Sequence, residues 1–125
     1  MPLENSTFAS RLQEVEARVQ RALERSGRTR SQIKLIAVSK KFPAARIREA
    51  YEAGLREFGE NYVQEFAEKR PELDALTGAR FHLIGHLQSN KARLACELFD
   101  VIQTVDSSKL LTRLDAAAAE KQILE

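Results

Sequence analysis

The sequence predicts an α/β fold: an N-terminal helix and four βα units, about half of a TIM-like (β/α)8 barrel with a parallel sheet. Short continuous apolar runs alternate with helical patterns, as in parallel sheets whose strands are buried on both faces. The predicted strands start near residues 34, 57, 81 and 101. Such a short βα period is typical of a barrel, and a doubly wound sheet would show a Gly-rich turn after its first strand that is missing here.

The first element is an amphipathic helix. Asn5, Ser6 and Thr7 offer N-cap candidates, and Gly27 stands where a left-handed residue would end the helix. Apolar residues recur between these limits at spacings of three or four, which is the period of one helix face. They are Phe8, Leu12, Val15, Val19 and Leu23.

The first two βα units follow this helix. Residues 35–38 are a continuous apolar run that predicts the first strand, and Pro43 marks the first turn of a helix that Gly54 ends. Residues 57–59 give a weak strand signal. Residues 61–69 predict the next helix, ended by Pro71.

The last two units have clearer strands. Residues 81–85 predict the third strand, and Ser89 is expected to cap the helix that follows. Residues 101–105 predict the fourth strand, and Asp106 or Ser107 is expected to cap the last helix.

Composition excludes several classes of function. The chain has 125 residues, a formal net charge of +2 and a hydrophobic fraction of 43%, typical of a folded soluble domain. It has neither the basic block that tracks nucleic acid nor an apolar run that spans a bilayer. Cys96 is the only cysteine, so no intramolecular disulfide forms, and the N-terminus lacks a signal-peptide pattern. We therefore expect a cytoplasmic protein without nucleic-acid or membrane partners.

Chemistry in a parallel α/β fold collects at the carboxyl ends of the strands. Lys40 follows the first buried run directly. If its side chain points into the barrel mouth, desolvation favours the neutral amine, which can attack an aldehyde and form a Schiff base. The alternative is a strand-end lysine that reaches solvent, and the residues alone favour it.

The other strand ends carry weaker signals. Glu60 and Asn61 could supply hydrogen bonds to a ligand, or Asn61 could simply cap the next helix, and the residues alone favour the cap. His82 and His86 lie four apart, but they straddle a strand end and have no acidic or cysteine partner, so no metal site is expected. No Ser or Cys has a convincing His partner, so no catalytic residue is assigned.

Three segments carry a resemblance to a known family. Residues 34–40 (KLIAVSK), 58–65 (FGENYVQE) and 81–91 (FHLIGHLQSNK) resemble the pyridoxal phosphate homeostasis protein family (YggS/PROSC type), and residues 101–107 resemble its next strand. The resemblance implies a barrel similar to the N-terminal domain of alanine racemase that binds pyridoxal 5′-phosphate (PLP). It places the Schiff-base lysine on Lys40, and Asn61 and His82 in the cofactor pocket.

The resemblance also implies a function. The family is regarded as a cytosolic carrier and buffer of PLP, involved in intracellular PLP homeostasis and not an established catalyst. Two alternatives stay open. One is a fold-type III PLP enzyme, an amino-acid racemase or decarboxylase, and the other is a fragment that binds no cofactor.

Length limits what this chain can do alone. We expect one partial PLP-binding barrel domain over residues 1–125, with a leading helix at 1–27 and four βα units at 34–125. Eight such units need roughly 200 residues or more, so the sequence is expected to cover the N-terminal half. The phosphate-binding part of the site would then lie outside it. The full-length family is expected to be monomeric, and this half-barrel marginally stable and prone to self-association.

Overall fold

A computed structural model describes residues 8–121 and contains one parallel sheet of four strands in the order β1-β2-β3-β4. Every neighbouring pair of strands is parallel. The N-cap candidates Asn5, Ser6 and Thr7 lie outside the described residues. The strands are β1 (Ala37–Val38), β2 (Glu57–Glu60), β3 (Arg80–Leu83) and β4 (Val101–Ile102).

Five α-helices accompany the sheet within the described residues, one before β1 and one after each strand. They are α1 (Phe8–Ser26), α2 (Ala44–Glu52), α3 (Val63–Lys69), α4 (Ala92–Leu98) and α5 (Ser108–Lys121). Right-handed crossovers between strands that follow one another in space place all crossover helices on the same face. Helix α4 accordingly packs between α3 and α5. This is the arrangement of a barrel segment, and the predicted α/β fold class is confirmed.

The hydrophobic core lies between the sheet and the helices. Phe58 of β2 and Phe81 of β3 stack with ring centroids 5.6 Å apart, and both rings are almost fully buried. Phe66 of α3 lies 5.0 Å from Phe81 and 4.7 Å from Phe99, which follows α4. Each such aromatic pair contributes about 0.5–1.5 kcal/mol beyond the area it buries. These rings therefore fix the helix layer on the sheet.

The opposite face of the sheet, which we call the inner face, is open in the described chain. Val38, Gly59, His82 and Val101 are in register across the four strands and point to this side. A Cβ atom on Gly59 would lie only 3.0 Å from side-chain atoms of Ile36 and Ile84, which close over the glycine. Val38 is 50% exposed.

The ends of the elements differ in detail from the sequence prediction. Strand β1 begins at Ala37 and not at residue 35, and β4 ends at Ile102 and not at residue 105. Both strands have a neighbour on one side only, so fewer of their residues join the ladder. The two predicted left-handed stops are confirmed, with φ of +74° at Gly27 and +110° at Gly54.

Two helix starts were predicted wrongly and one correctly. Helix α3 begins at Val63, two residues later than predicted, after an extended Tyr62. Ser89 opens a single 3₁₀ turn and makes no side-chain cap bond, so α4 begins only at Ala92. Ser107 does cap α5, because its Oγ accepts a hydrogen bond from the Leu110 amide at 3.1 Å.

No helix within residues 8–121 is both long enough and apolar enough to cross a bilayer.

Candidate functional site

The loop after β1 carries Lys40. The Phe42 amide donates to the Ser39 carbonyl oxygen at 3.2 Å and closes the loop, and Lys41 adopts the left-handed conformation with φ of +65°. Lys40 is exposed and makes no hydrogen bond or ion pair with any residue of the described chain. The desolvation expected from the sequence is thus not supplied by residues 8–121, and the amine is open to solvent.

A buried polar cluster lies directly beneath this loop. The Lys69 ammonium of α3 donates to the Glu60 carboxylate at 2.8 Å, to the Ser39 carbonyl oxygen at 3.1 Å and to the Phe42 carbonyl oxygen at 2.9 Å. The Ser39 hydroxyl donates to the same Glu60 oxygen at 2.6 Å. Glu60 is 0% and Lys69 8% exposed. The charged groups therefore face each other and the loop backbone, not water.

Glu65 of α3 extends the cluster to the loop's outer side. Its carboxylate accepts a hydrogen bond from the Lys41 amide and lies 3.5 Å from the Lys69 ammonium. We call Ser39, Glu60, Glu65 and Lys69 the anchor cluster. It ties both ends of the Lys40 loop to β2 and α3.

Asn61 lies at the end of β2, on the side of the strand opposite to Glu60. Its Oδ1 atom is buried and has no hydrogen-bond partner among residues 8–121. Helix α3 has Tyr62 at its N-cap and no side-chain cap bond, so Asn61 does not cap this helix. A buried amide oxygen without a partner is costly, and a ligand that donates a hydrogen bond would remove that cost.

Gly85 follows β3 and presses against Asn61. A Cβ atom at this position would lie 2.4 Å from the Asn61 carbonyl oxygen and 2.8 Å from its Cα. The Gly85 carbonyl oxygen accepts a hydrogen bond from the Thr104 hydroxyl at 2.6 Å. The absence of a side chain at Gly85 is what allows the ends of β2 and β3 to lie this close.

His82 lies on the inner face, one register row below Asn61, and is 2% exposed. Its Nε2 lies 2.6 Å from a Glu57 carboxylate oxygen, and its Nδ1 lies 2.9 Å from the Gln103 amide nitrogen. Because the Gln103 amide nitrogen can only donate, Nδ1 accepts and Nε2 carries the proton. Both ring nitrogens are occupied and the ring is buried, so within residues 8–121 His82 has no free nitrogen for a ligand and does not line the cavity between β2 and β3.

A cavity of about 550 Å³ opens between the ends of β2 and β3. This volume is within the range of small-molecule sites in proteins. Asn61 and Gly85 form part of its wall, and the Lys91 cation and several polar side chains line the rest. The polar lining includes Tyr62, Gln64, His86, Gln88 and Lys91.

The two histidines do not converge. His86 is exposed and pairs with exposed Asp106 at 3.4 Å, while His82 faces Glu57. Within residues 8–121, no three His, Cys, Asp or Glu side chains are grouped as a metal site would require.

The sequence pointed to Lys40, Asn61 and His82 but not to Glu57, Glu65, Lys69 or Gln103. One signal was available for Lys69, because Glu65 and Lys69 are four residues apart on a helix and so share a face. Spacing gave no sign that this face is buried.

A parallel βα sheet of consecutive strands, with a lysine on the first strand-end loop and a polar cavity between the ends of β2 and β3, is the arrangement of a TIM-like barrel segment. The sequence pattern of the family described as alanine racemase, N-terminal domain, matches residues 10–124. The chain belongs to this family.

The similar curated proteins carry the name that the sequence motifs suggested. The chain is 47% identical over 110 residues to the pyridoxal phosphate homeostasis protein of Escherichia coli K12, covering 86% of this chain and 47% of that protein. The protein of the same name from Pseudomonas aeruginosa PAO1 is 46% identical over 109 residues, covering 87% and 47%. The predicted resemblance is confirmed, and the chain spans about half the length of these relatives.

Solved structures agree with this fold. PipY of Synechococcus elongatus PCC7942, solved with PLP bound, has a TM-score of 0.71 and 51% identity, covering 82% of this chain and 49% of that one. A crystal structure of an unknown protein from Bifidobacterium adolescentis has a TM-score of 0.78 and 30% identity, covering 92% and 51%.

Proposed function

We propose that this chain forms part of a PLP-binding protein that serves PLP homeostasis, holding the cofactor as a reversible Schiff base on Lys40. We assign Asn61 and His82 to its pocket from the second and third strands; of the two, Asn61 lines the cavity between β2 and β3. The observation that carries the proposal is the PLP bound to PipY, which is 51% identical to this chain and shares its fold. The names of the curated relatives support it.

The residues at the strand ends fit this cofactor. Lys40 offers a primary amine that no residue of the described chain engages. The unpartnered Asn61 oxygen and the Lys91 cation stand beside the cavity at the mouth. PLP is a flat ring with an aldehyde, a phenolic oxygen and a phosphate, so an amine, an amide and a cation are matching partners.

The chemistry suits holding and release. PLP supplies an aldehyde, the Lys40 amine adds to it, and one water leaves as the C=N bond forms. Hydrolysis by solvent water reverses the step and returns the free amine. The exposed position of Lys40 lets water reach this bond, which favours a carrier over permanent retention.

Borohydride trapping tests the assignment. The full chain is incubated with PLP, reduced, digested and mapped by mass spectrometry. We expect one adduct on Lys40, lost in Lys40→Ala and kept in Lys41→Ala, its exposed neighbour. An adduct spread over surface lysines, or none on Lys40, would refute the site.

A PLP enzyme of the alanine racemase type is the second candidate. The family to which residues 10–124 belong is named for that enzyme, which favours this alternative. Racemisation requires an acid or base on each side of the reacting carbon. On the inner face, the best candidate, His82, already uses both ring nitrogens. Turnover of an amino acid by the purified chain, abolished in Lys40→Ala, would establish the enzyme instead of the carrier.

The phosphate-binding part of the site is proposed to lie outside this chain. We propose that the phosphate-binding residues belong to the half of the relatives' length that this chain does not match, because barrels commonly bind phosphate after their last strands. The full-length family is proposed to be monomeric and cytoplasmic.

We further propose that the isolated 125-residue chain self-associates. Strands β1 and β4 each have an unpaired edge in the described chain, and Val38 leaves the inner face partly apolar and exposed. An apolar groove of about 360 Å³ also runs along β1, between α1 and α2. Sedimentation of the purified chain tests this, and a monomer at all concentrations would contradict it.

A further inference from the structure

We propose that Lys69 and Glu60 are positioning residues for Lys40: their buried ion pair holds the loop after β1 and so sets where the Lys40 amine lies. The inference rests on the proposed function, in which Lys40 is the attachment point. Neither residue lines the cavity, so the effect proposed for them on a ligand passes through the loop.

The hydrogen bonds of Lys69 are directed at the backbone of this loop. An ammonium group has three protons, and those of Lys69 are used by Glu60 and by the carbonyl oxygens of Ser39 and Phe42. These two carbonyls flank the Lys40–Lys41 pair. One buried cation thus clamps the loop on both sides of the reactive lysine.

Glu60 holds the clamp in place from β2. Its carboxylate accepts hydrogen bonds from both the Lys69 ammonium and the Ser39 hydroxyl. Its backbone is in register with Leu83 of β3. The Ser39 amide also donates to the Gly59 carbonyl oxygen at 2.8 Å. The loop is therefore attached to β2, which is a central strand of the sheet.

Folding stability does not by itself require charges here. A buried ion pair loses hydration on both partners, and well-packed apolar residues of similar volume often replace such pairs without loss. What apolar residues cannot supply is a donor to the two loop carbonyls. Lys41 adopts the left-handed conformation, which costs an L-residue energy. It is likewise held by the hydrogen bond from its backbone amide to the Glu65 carboxylate.

A pair of variants separates positioning from stability. Lys69→Met leaves the Glu60 carboxylate buried and unpaired, so it lowers both stability and loop order. The double variant Glu60→Gln/Lys69→Met removes both charges, so it regains part of the stability that Lys69→Met loses, while the two loop carbonyls still lack their donor. Lys109→Met, on the exposed surface of α5, is the matched control.

Two readouts are followed in the full chain. Without PLP, hydrogen exchange of the Lys41 and Phe42 amides is expected to be about tenfold faster in the double variant, the factor for one lost backbone hydrogen bond. With PLP and borohydride, labelling of Lys40 is expected to slow by a similar factor. The control changes neither readout, and a double variant that is more stable than Lys69→Met but still shows fast exchange and slow labelling shows that the loss is local.

The outcomes distinguish the two proposals. A double variant with wild-type exchange and wild-type labelling would overturn the positioning role. A wild-type chain that is never labelled on Lys40 would refute the proposed function, while the exchange measurement still decides whether Lys69 orders the loop. If the double variant does not fold, Glu65→Leu at the cluster's rim replaces it, because leucine offers the Lys41 amide no acceptor. That change must speed exchange of the Lys41 amide alone, and unchanged exchange there counts against the anchor cluster.

Discussion

Two polar networks lie on opposite faces of the same sheet, and they fix different parts of the molecule: one the loop after β1, the other the His82 ring. On the helix-facing side, the anchor cluster buries a charged pair whose hydrogen bonds go largely to backbone carbonyls. On the inner face, Glu57, His82 and Gln103 bond side chain to side chain, and Glu57 and Gln103 both reach solvent. The first network fixes a loop and the second fixes a ring. Burial of the first makes it the more sensitive to substitution.

The largest expected effect comes from breaking the buried pair. Lys69→Met leaves Glu60 without its counter-charge in a fully buried position, and the free energy of unfolding is expected to fall by about 3–5 kcal/mol. Urea unfolding followed by circular dichroism measures it. Lys109→Met serves as the control, and a loss below about 1 kcal/mol would mean that water reaches Glu60 in solution.

The next largest effect is expected at the close contact between the ends of β2 and β3. Gly85→Ala forces a Cβ against the Asn61 backbone, which must shift, and a loss of about 1–3 kcal/mol is expected. Gln88→Ala, an exposed neighbour, is the control for the same unfolding measurement. Equal stability of the two variants would show that β3 ends farther from Asn61.

The inner-face network should tolerate more. His82→Leu removes two hydrogen bonds, but their former partners can turn to water, so we expect a loss of about 1–2 kcal/mol. The ratio of this loss to that of Lys69→Met measures the difference between the two faces. If His82→Leu proves the more damaging, the inner face is the drier one and the comparison is reversed.

The smallest effect on stability is expected for an ion pair that is exposed to solvent, and it is the reference for the buried pair. Arg93 of α4 and Glu120 of α5 form a bidentate pair, and the hydrogen bond from Arg93 lowers the pKa of Glu120 below its usual value. A lowered folded-state pKa contributes stability above the unfolded pKa, and that contribution disappears as the pH falls through the folded value. The stability difference between wild type and Arg93→Ala should therefore vanish in acid. A difference that persists there would have another origin.

Sequence periodicity accounts for much of this fold, because amphipathic spacing and apolar runs are local signals. The strand at residues 57–60 was weak on its own and is stabilised by pairing on both sides with β1 and β3. The short β1 and the late start of α4 could not be predicted, because they depend on partners distant in sequence. Its position after the first buried run made Lys40 a candidate, and motif resemblance then favoured the Schiff-base lysine over a lysine that merely reaches solvent.

The environment of the site residues was less accessible to prediction. Whether Asn61 caps a helix or keeps an unpartnered oxygen depends on the single residue, Tyr62, that separates it from Val63. Lys69 has the sequence signature of a solvated helix residue, since nothing local reveals that the loop after β1 covers it. Burial by a distant segment is a tertiary property, and it decided the role of both residues.

Gly85 changes how a motif in this chain should be used to trace ancestry. The glycine lies within the segment FHLIGHLQSNK, and its lack of a side chain is required by the Asn61 backbone. Selection for folding alone would retain Gly85 in a homologous chain that had lost the ability to bind any ligand. Lys40 has no such packing constraint, since it is exposed and unengaged in the described chain. Among homologous chains, the lysine and not the glycine is the position whose loss would mark a change of function.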